Sequence, residues 1–135
     1  MKKPIYFEDK FAFSLYKATI TFAFGDFKRY SAMLKKRFGY EKKRDREPGG
    51  NTIRIVYEEG GKRKEEFFLW LSKMDYPCLA HEATHLAGYI FGARGIKTLL
   101  GGEDEPFAFL VEWIMGDYLA FVKYFKEKRR KKKKK

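Results

Sequence analysis

The chain is poor in histidine and cysteine and in the proline that breaks regular structure. Its 135 residues include two histidines, one cysteine and four prolines. A single cysteine excludes an internal disulfide framework. No apolar run approaches the ~20 residues that a membrane-spanning helix requires. The opening stretch MKKPIYFEDKFAF begins with lysines, but Glu8, Asp9 and Lys10 interrupt the apolar stretch that a secretory signal needs. These scarcities lead us to expect a soluble, cytoplasmic protein in a reducing compartment.

What is abundant is core material. Hydrophobic residues make up 44% of the chain, and Phe, Tyr and Trp alone 19%. That is too apolar for a disordered chain and of a size suited to one compact domain. The net charge is +12, but it is unevenly spread. The end KEKRRKKKKK, residues 126–135, accounts for +8, which leaves only +4 on the other 125 residues. We expect a single domain over 1–125 and a basic, disordered tail over 126–135, since like charges this dense repel and bury nothing. Such a tail suits nonspecific contact with nucleic-acid phosphates or with an anionic membrane surface. It also suits simple solubilisation.

The patterning predicts α+β architecture: a small antiparallel sheet packed against two helices. Residues 16–24 alternate apolar and polar, as a half-buried strand does. Gly25 ends that strand, and Asp26 caps a helix running to Phe38, with Phe27, Tyr30, Leu34 and Phe38 on one face. After a charged loop, two strands are expected at 52–58 and 64–71. The diglycine between them provides the positive φ angles of a tight hairpin. Asp75 caps the next helix, which tolerates Pro77 in its first turn and runs to about Phe91. A long C-terminal helix starts near Asp104. Its Phe107, Leu110, Val111, Ile114, Tyr118, Phe121, Val122 and Phe125 recur at helical spacing.

Both histidines fall in one motif, His81-Glu82-Ala83-Thr84-His85. With so few histidines this arrangement arises by chance in roughly one shuffled version in several hundred. On a helix, residues four apart share a face, so His81 and His85 can converge on one ion, and imidazole nitrogen is a natural zinc donor. Glu82 lies about 100° further round, where it reaches a metal-bound water rather than the metal. A zinc site with an open position needs a third protein ligand. Glu105, at the start of the last helix, is the first choice. Glu112, Glu103, Asp104 and Cys78 are the alternatives, although Cys78 reads more simply as a small packed hydrophobe.

These residues resemble the zincin metallopeptidases. His81-Glu82-Ala83-Thr84-His85, followed after nineteen residues by Glu105 in EPFAF, is similar to the thermolysin-like gluzincin arrangement, whose third ligand is a glutamate on a following helix. The short chain resembles the minimal zincins encoded by phages and mobile elements. The motif match covers roughly 75–114. HEATHLAG also fits the opening of the metzincin signature, but Phe91 stands where that signature has its last histidine. Phe109 stands where the thermolysin pattern has a carboxylate.

The resemblance implies one Zn2+ ion held by His81, His85 and Glu105, and metal-assisted hydrolysis of peptide bonds with Glu82 as general base. It also implies a protein or peptide substrate paired along an edge strand, for which 64–71 is the candidate, although its EEFFLW equally reads as a central strand. Tyr89, Tyr118, Arg94 or a backbone N–H would stabilise the oxyanion. The rival expectation is an inactive zincin-derived binding or assembly module whose metal only staples a small domain, with the basic tail contacting nucleic acid.

Overall fold

A computed structural model describes residues 4–41, 49–96 and 105–133. The described elements run β1 (Tyr6–Phe13), β2 (Ala18–Gly25), α1 (Phe27–Phe38), β3 (Gly50–Glu59), β4 (Lys62–Leu71), α2 (Tyr76–Ala93) and α3 (Glu105–Lys133). The four strands form one sheet in the order β1-β2-β4-β3. The fold is α+β, with the long C-terminal helix in place.

The sheet is mixed, whereas antiparallel pairing throughout was expected. β1–β2 and β3–β4 are antiparallel, but β2 and β4 run parallel, with Ile20 opposite Phe67 and Phe24 opposite Leu71. The reason lies in the composition of β4. Its end, Phe67 to Leu71, is apolar at every position and buried on both faces, which suits only a central strand. β3 alternates between partly buried and exposed side chains along most of its length and takes the edge. Returning from β3 into the gap beside β2 makes the new pairing parallel.

Helices cover both faces. On one, Ile20, Phe22, Phe24, Phe67, Leu69 and Leu71 meet Leu79, Ala83, Leu86 and Ile90 of α2 and Leu110, Ile114, Tyr118 and Val122 of α3. On the other, Ala23, Phe68 and Trp70 meet Tyr30 and Leu34 of α1. Tyr30 lies flat over Trp70, with centroids 5.1 Å apart and planes 7° from parallel. Among the described residues, Thr21 Oγ1 is the buried side-chain polar atom without a partner, and the larger polar groups of this core are paired. Trp70 Nε1 donates to Gly25 O at 3.1 Å, Tyr30 Oη to Asn51 Oδ1 at 3.0 Å, and Tyr118 Oη to Ala23 O at 2.6 Å.

The local signals behave as the sequence suggests. Asp26 accepts from Arg29 N, Gly39 closes α1 at φ 66°, and Asp75 accepts from Cys78 N. Gly60 and Gly61 turn the β3–β4 hairpin at φ 61° and 77°. The first strand region differs: β2 starts at Ala18, after a single 3-10 turn over Ser14–Tyr16 and a left-handed Lys17 at φ 50°.

Residues 126–133 of the basic end belong to the last helix. α3 continues unbroken through Lys133. Lys and Arg are good helix formers, and cations at a helix C-terminus complement its dipole, so a helix already anchored by five turns of core contacts propagates into them. No helix among the described residues is long and apolar enough to cross a membrane.

Candidate metal and catalytic site on α2

The apolar positions of α2 turn Leu79, Ala83, Leu86 and Ile90 into the core and leave His81 and His85 on an exposed face. One turn apart, the two imidazoles converge: His81 Nε2 and His85 Nε2 are 3.1 Å from each other, with rings 4.6 Å apart and inclined at 82°. Two ligands of one tetrahedral zinc, each about 2.0–2.1 Å from it, stand about 3.3 Å apart. The pair is thus spaced as two donors of a single ion would be, and in this structure the two nitrogens are hydrogen-bonded to each other. Tyr89 stacks beyond His85 at 6.1 Å.

Glu82 points elsewhere, as its 100° offset requires. It is buried against β3 at 6% exposure. Thr52 Oγ1 donates to its Oε1 at 3.0 Å and also lies 3.1 Å from its main-chain oxygen. Gly50 makes this approach feasible. A Cβ there would stand 2.9 Å from each of Cys78 Sγ, Glu82 Cγ and Leu71 Cδ2. Nothing in the sequence pattern pointed to Thr52.

Cys78 is half-buried beside Glu82 and Asp75. Burial first, then those two carboxylates, push its thiol up. A thiol held protonated in this way is a poor ligand and a poor nucleophile.

The third ligand is not assembled among the described residues, where no three His, Cys, Asp or Glu side chains are grouped as a metal would need. Glu105 is exposed at the first position of α3. Phe107, two residues on, stacks edge-on against Phe91 at 5.6 Å. That contact sets the start of α3 beside the end of α2, about 9 Å along the helix axis from His85. Glu112 is exposed further along α3. Glu103 and Asp104 lie outside the described residues.

Of the three side chains considered for the oxyanion, two are committed to the fold. Tyr118 is fully buried with its hydroxyl on Ala23 O. Arg94 clamps the β1–β2 connection through Tyr16 O at 2.7 Å and Lys17 O at 2.8 Å, and pairs with Glu65 at 2.9 Å. Tyr89 alone stays exposed beside the histidines.

The strand expected to receive substrate is also corrected. Within 64–71, Phe67 to Leu71 are hydrogen-bonded between β2 and β3 and have no free edge. A continuous apolar run is drawn to the sheet's interior. The open edge next to α2 belongs to β3, which pairs only with β4 among the described residues.

Comparison with known protein families, curated proteins and solved structures returned no match. The reading of the site therefore rests on its own geometry.

Proposed function

We propose that this chain is a small zinc-dependent metallopeptidase that hydrolyses peptide bonds in a protein or peptide substrate in the cytoplasm. The observation that carries the reading is the 3.1 Å convergence of His81 and His85 on an exposed helix face, with Glu82 held beside the open sheet edge. In this reading His81 and His85 hold one Zn2+ ion, and Glu105 is the third donor, an exposed carboxylate of the right type at the start of the neighbouring helix. Bound zinc supplies Lewis acidity and an acidified water, with a pKa near ~7.

The chain's own groups do the rest. Glu82 takes a proton from the attacking water and delivers it to the leaving amine. The free edge of β3 holds the substrate extended through main-chain hydrogen bonds. Tyr89 offers a hydroxyl to the developing oxyanion.

Metal analysis and peptide hydrolysis by the purified protein test this together. Wild type is expected to carry one zinc per chain, His85→Ala none, and Glu82→Gln the full complement with hydrolysis reduced at least 10³-fold, a loss on the scale of a missing general base. Zinc retained by His85→Ala, or hydrolysis retained by Glu82→Gln, would overturn the assignment.

A second reading is favoured by one observation, that no third His, Cys, Asp or Glu is grouped with the histidine pair among the described residues. A binding or assembly module would hold metal through His81 and His85 as a structural staple and turn nothing over. It predicts zinc in the wild type and no hydrolysis of any peptide library.

A further inference from the structure

The end of α3 is the most highly charged surface of the molecule, and its function is independent of the peptidase reading. Phe125 is the last core residue, stacked on Phe7 at 5.0 Å, and Lys126 lies over the Phe24 ring at 5.3 Å. The helix then runs free. Lys128, Arg129, Arg130, Lys131, Lys132 and Lys133 are six consecutive cations in helical conformation, exposed except for a half-buried Arg129. No ion pair among the described residues involves any of them.

This end is held in an unrelieved state. At spacings of three and four, Lys128 faces Lys131 and Lys132, Arg129 faces Lys132 and Lys133, and Arg130 faces Lys133. Each is a like-charge pair that disfavours the helix. Only Glu127, facing Arg130 and Lys131, offsets them. A polyanion that neutralises these charges therefore both binds and stabilises the helix.

The distribution of charge decides which polyanion. Six consecutive residues at 100° steps put cations on every side of the helix. A flat anionic membrane reaches one side of such a rod, and residues 126–133 contain no apolar side chain to insert. The major groove of a duplex is about 12 Å wide, admits an α-helix, and has phosphates on both walls.

We infer that the last two turns of α3 form a preformed docking element for double-stranded DNA, contacting phosphates without reading sequence. Four neutralised phosphates would give a slope of log K against log salt of about −3.6, so affinity would fall about 150-fold between 50 and 200 mM salt. The probes are a 20-base-pair duplex of arbitrary sequence, the corresponding single strand, and vesicles containing phosphatidylserine. Each is titrated against the full chain and against a variant with all six positions, Lys128 to Lys133, changed to Gln. The variant should have a thermal midpoint no lower than that of the wild type, because none of these residues is in the core and their mutual repulsion is removed. It should bind duplex about 100-fold more weakly at low salt, with a slope reduced by about 3.6. Should it fail to fold, a chain ending at Glu127 replaces it. Duplex affinity unchanged by either alteration would overturn the proposal. So would single strand or vesicles bound as tightly as duplex.

Discussion

Glu82 is one residue from a candidate metal ligand, yet the contact that fixes its side chain comes from thirty residues earlier in the chain. Thr52 Oγ1 donates to Glu82 Oε1 at 3.0 Å in a buried setting. Removing the hydroxyl while keeping the shape leaves a buried carboxylate oxygen without that donor, which costs about 1–3 kcal/mol. Thr52→Val should therefore lower the stability measured by urea unfolding by that amount. Thr52→Ser, which restores the donor, should recover most of it. Zinc content should be the same in all three proteins, because the side-chain hydrogen bonds of Thr52 go to Glu82 and to neither histidine. Equal stability of the Val and Ser variants would show that the hydroxyl contributes nothing at this position.

At the scale of elements, the approach of β3 to α2 depends on one absent side chain. A methyl at Gly50 would meet Cys78 Sγ, Glu82 Cγ and Leu71 Cδ2, each at 2.9 Å. All three are side-chain atoms, but Glu82 is pinned by Thr52 and cannot simply swing away, so Gly50→Ala should destabilise the protein by about 1–3 kcal/mol, as overpacking does. Cys78→Ala removes one of the three. In a double-mutant cycle, Gly50→Ala with Cys78→Ala should cost at least about 0.5 kcal/mol less than the sum of the single changes. Strict additivity would place the strain elsewhere.

This contact also shows where sequence reading stops. The helices, their Asp26 and Asp75 caps and the Gly60–Gly61 hairpin follow from local chemistry, and so were legible. β1 was not, because Glu8, Asp9 and Lys10 hide an alternation of Phe7, Phe11 and Phe13 that all pack on the core. The parallel β2–β4 pairing depends on a nonlocal choice of neighbour that no single segment encodes. At the site, spacing sufficed for the convergence of His81 and His85. The Thr52 contact and the placing of Glu105 at the start of α3 depend on how elements dock.

For the molecule as a whole, the carboxylate of Glu66 ties four elements together. Its side chain is 1% exposed, on the α1 face of the sheet. It accepts from Tyr57 Oη of β3 at 2.7 Å and Arg37 Nη2 of α1 at 2.9 Å, and pairs with Lys10 Nζ of β1 at 3.2 Å. Burial alone would raise its pKa. The Tyr57 hydrogen bond and the Arg37 and Lys10 charges outweigh that, and the carboxyl is held below its ordinary 4.5. The same bond, with burial, pushes Tyr57 up to about 12, so the phenol remains a donor at any pH near neutrality.

A group whose pKa is lower in the folded state stabilises the fold above its unfolded pKa, and the contribution is lost as pH falls through the folded value. Glu66 should therefore contribute fully at pH 6 to 7 and progressively less below about 4.5. Glu66→Gln keeps the shape but removes the charge from Arg37 and Lys10, at a cost of about 2 kcal/mol near neutrality, within the range for a broken buried ion pair after discounting the exposure of the two cations. Urea unfolding of both proteins from about pH 7 to pH 3 should show two stability curves that converge as the medium becomes acid. A gap that stays constant across that range would mean that the Gln variant loses packing or hydrogen bonding, and that the charge of Glu66 does not hold the sheet to α1.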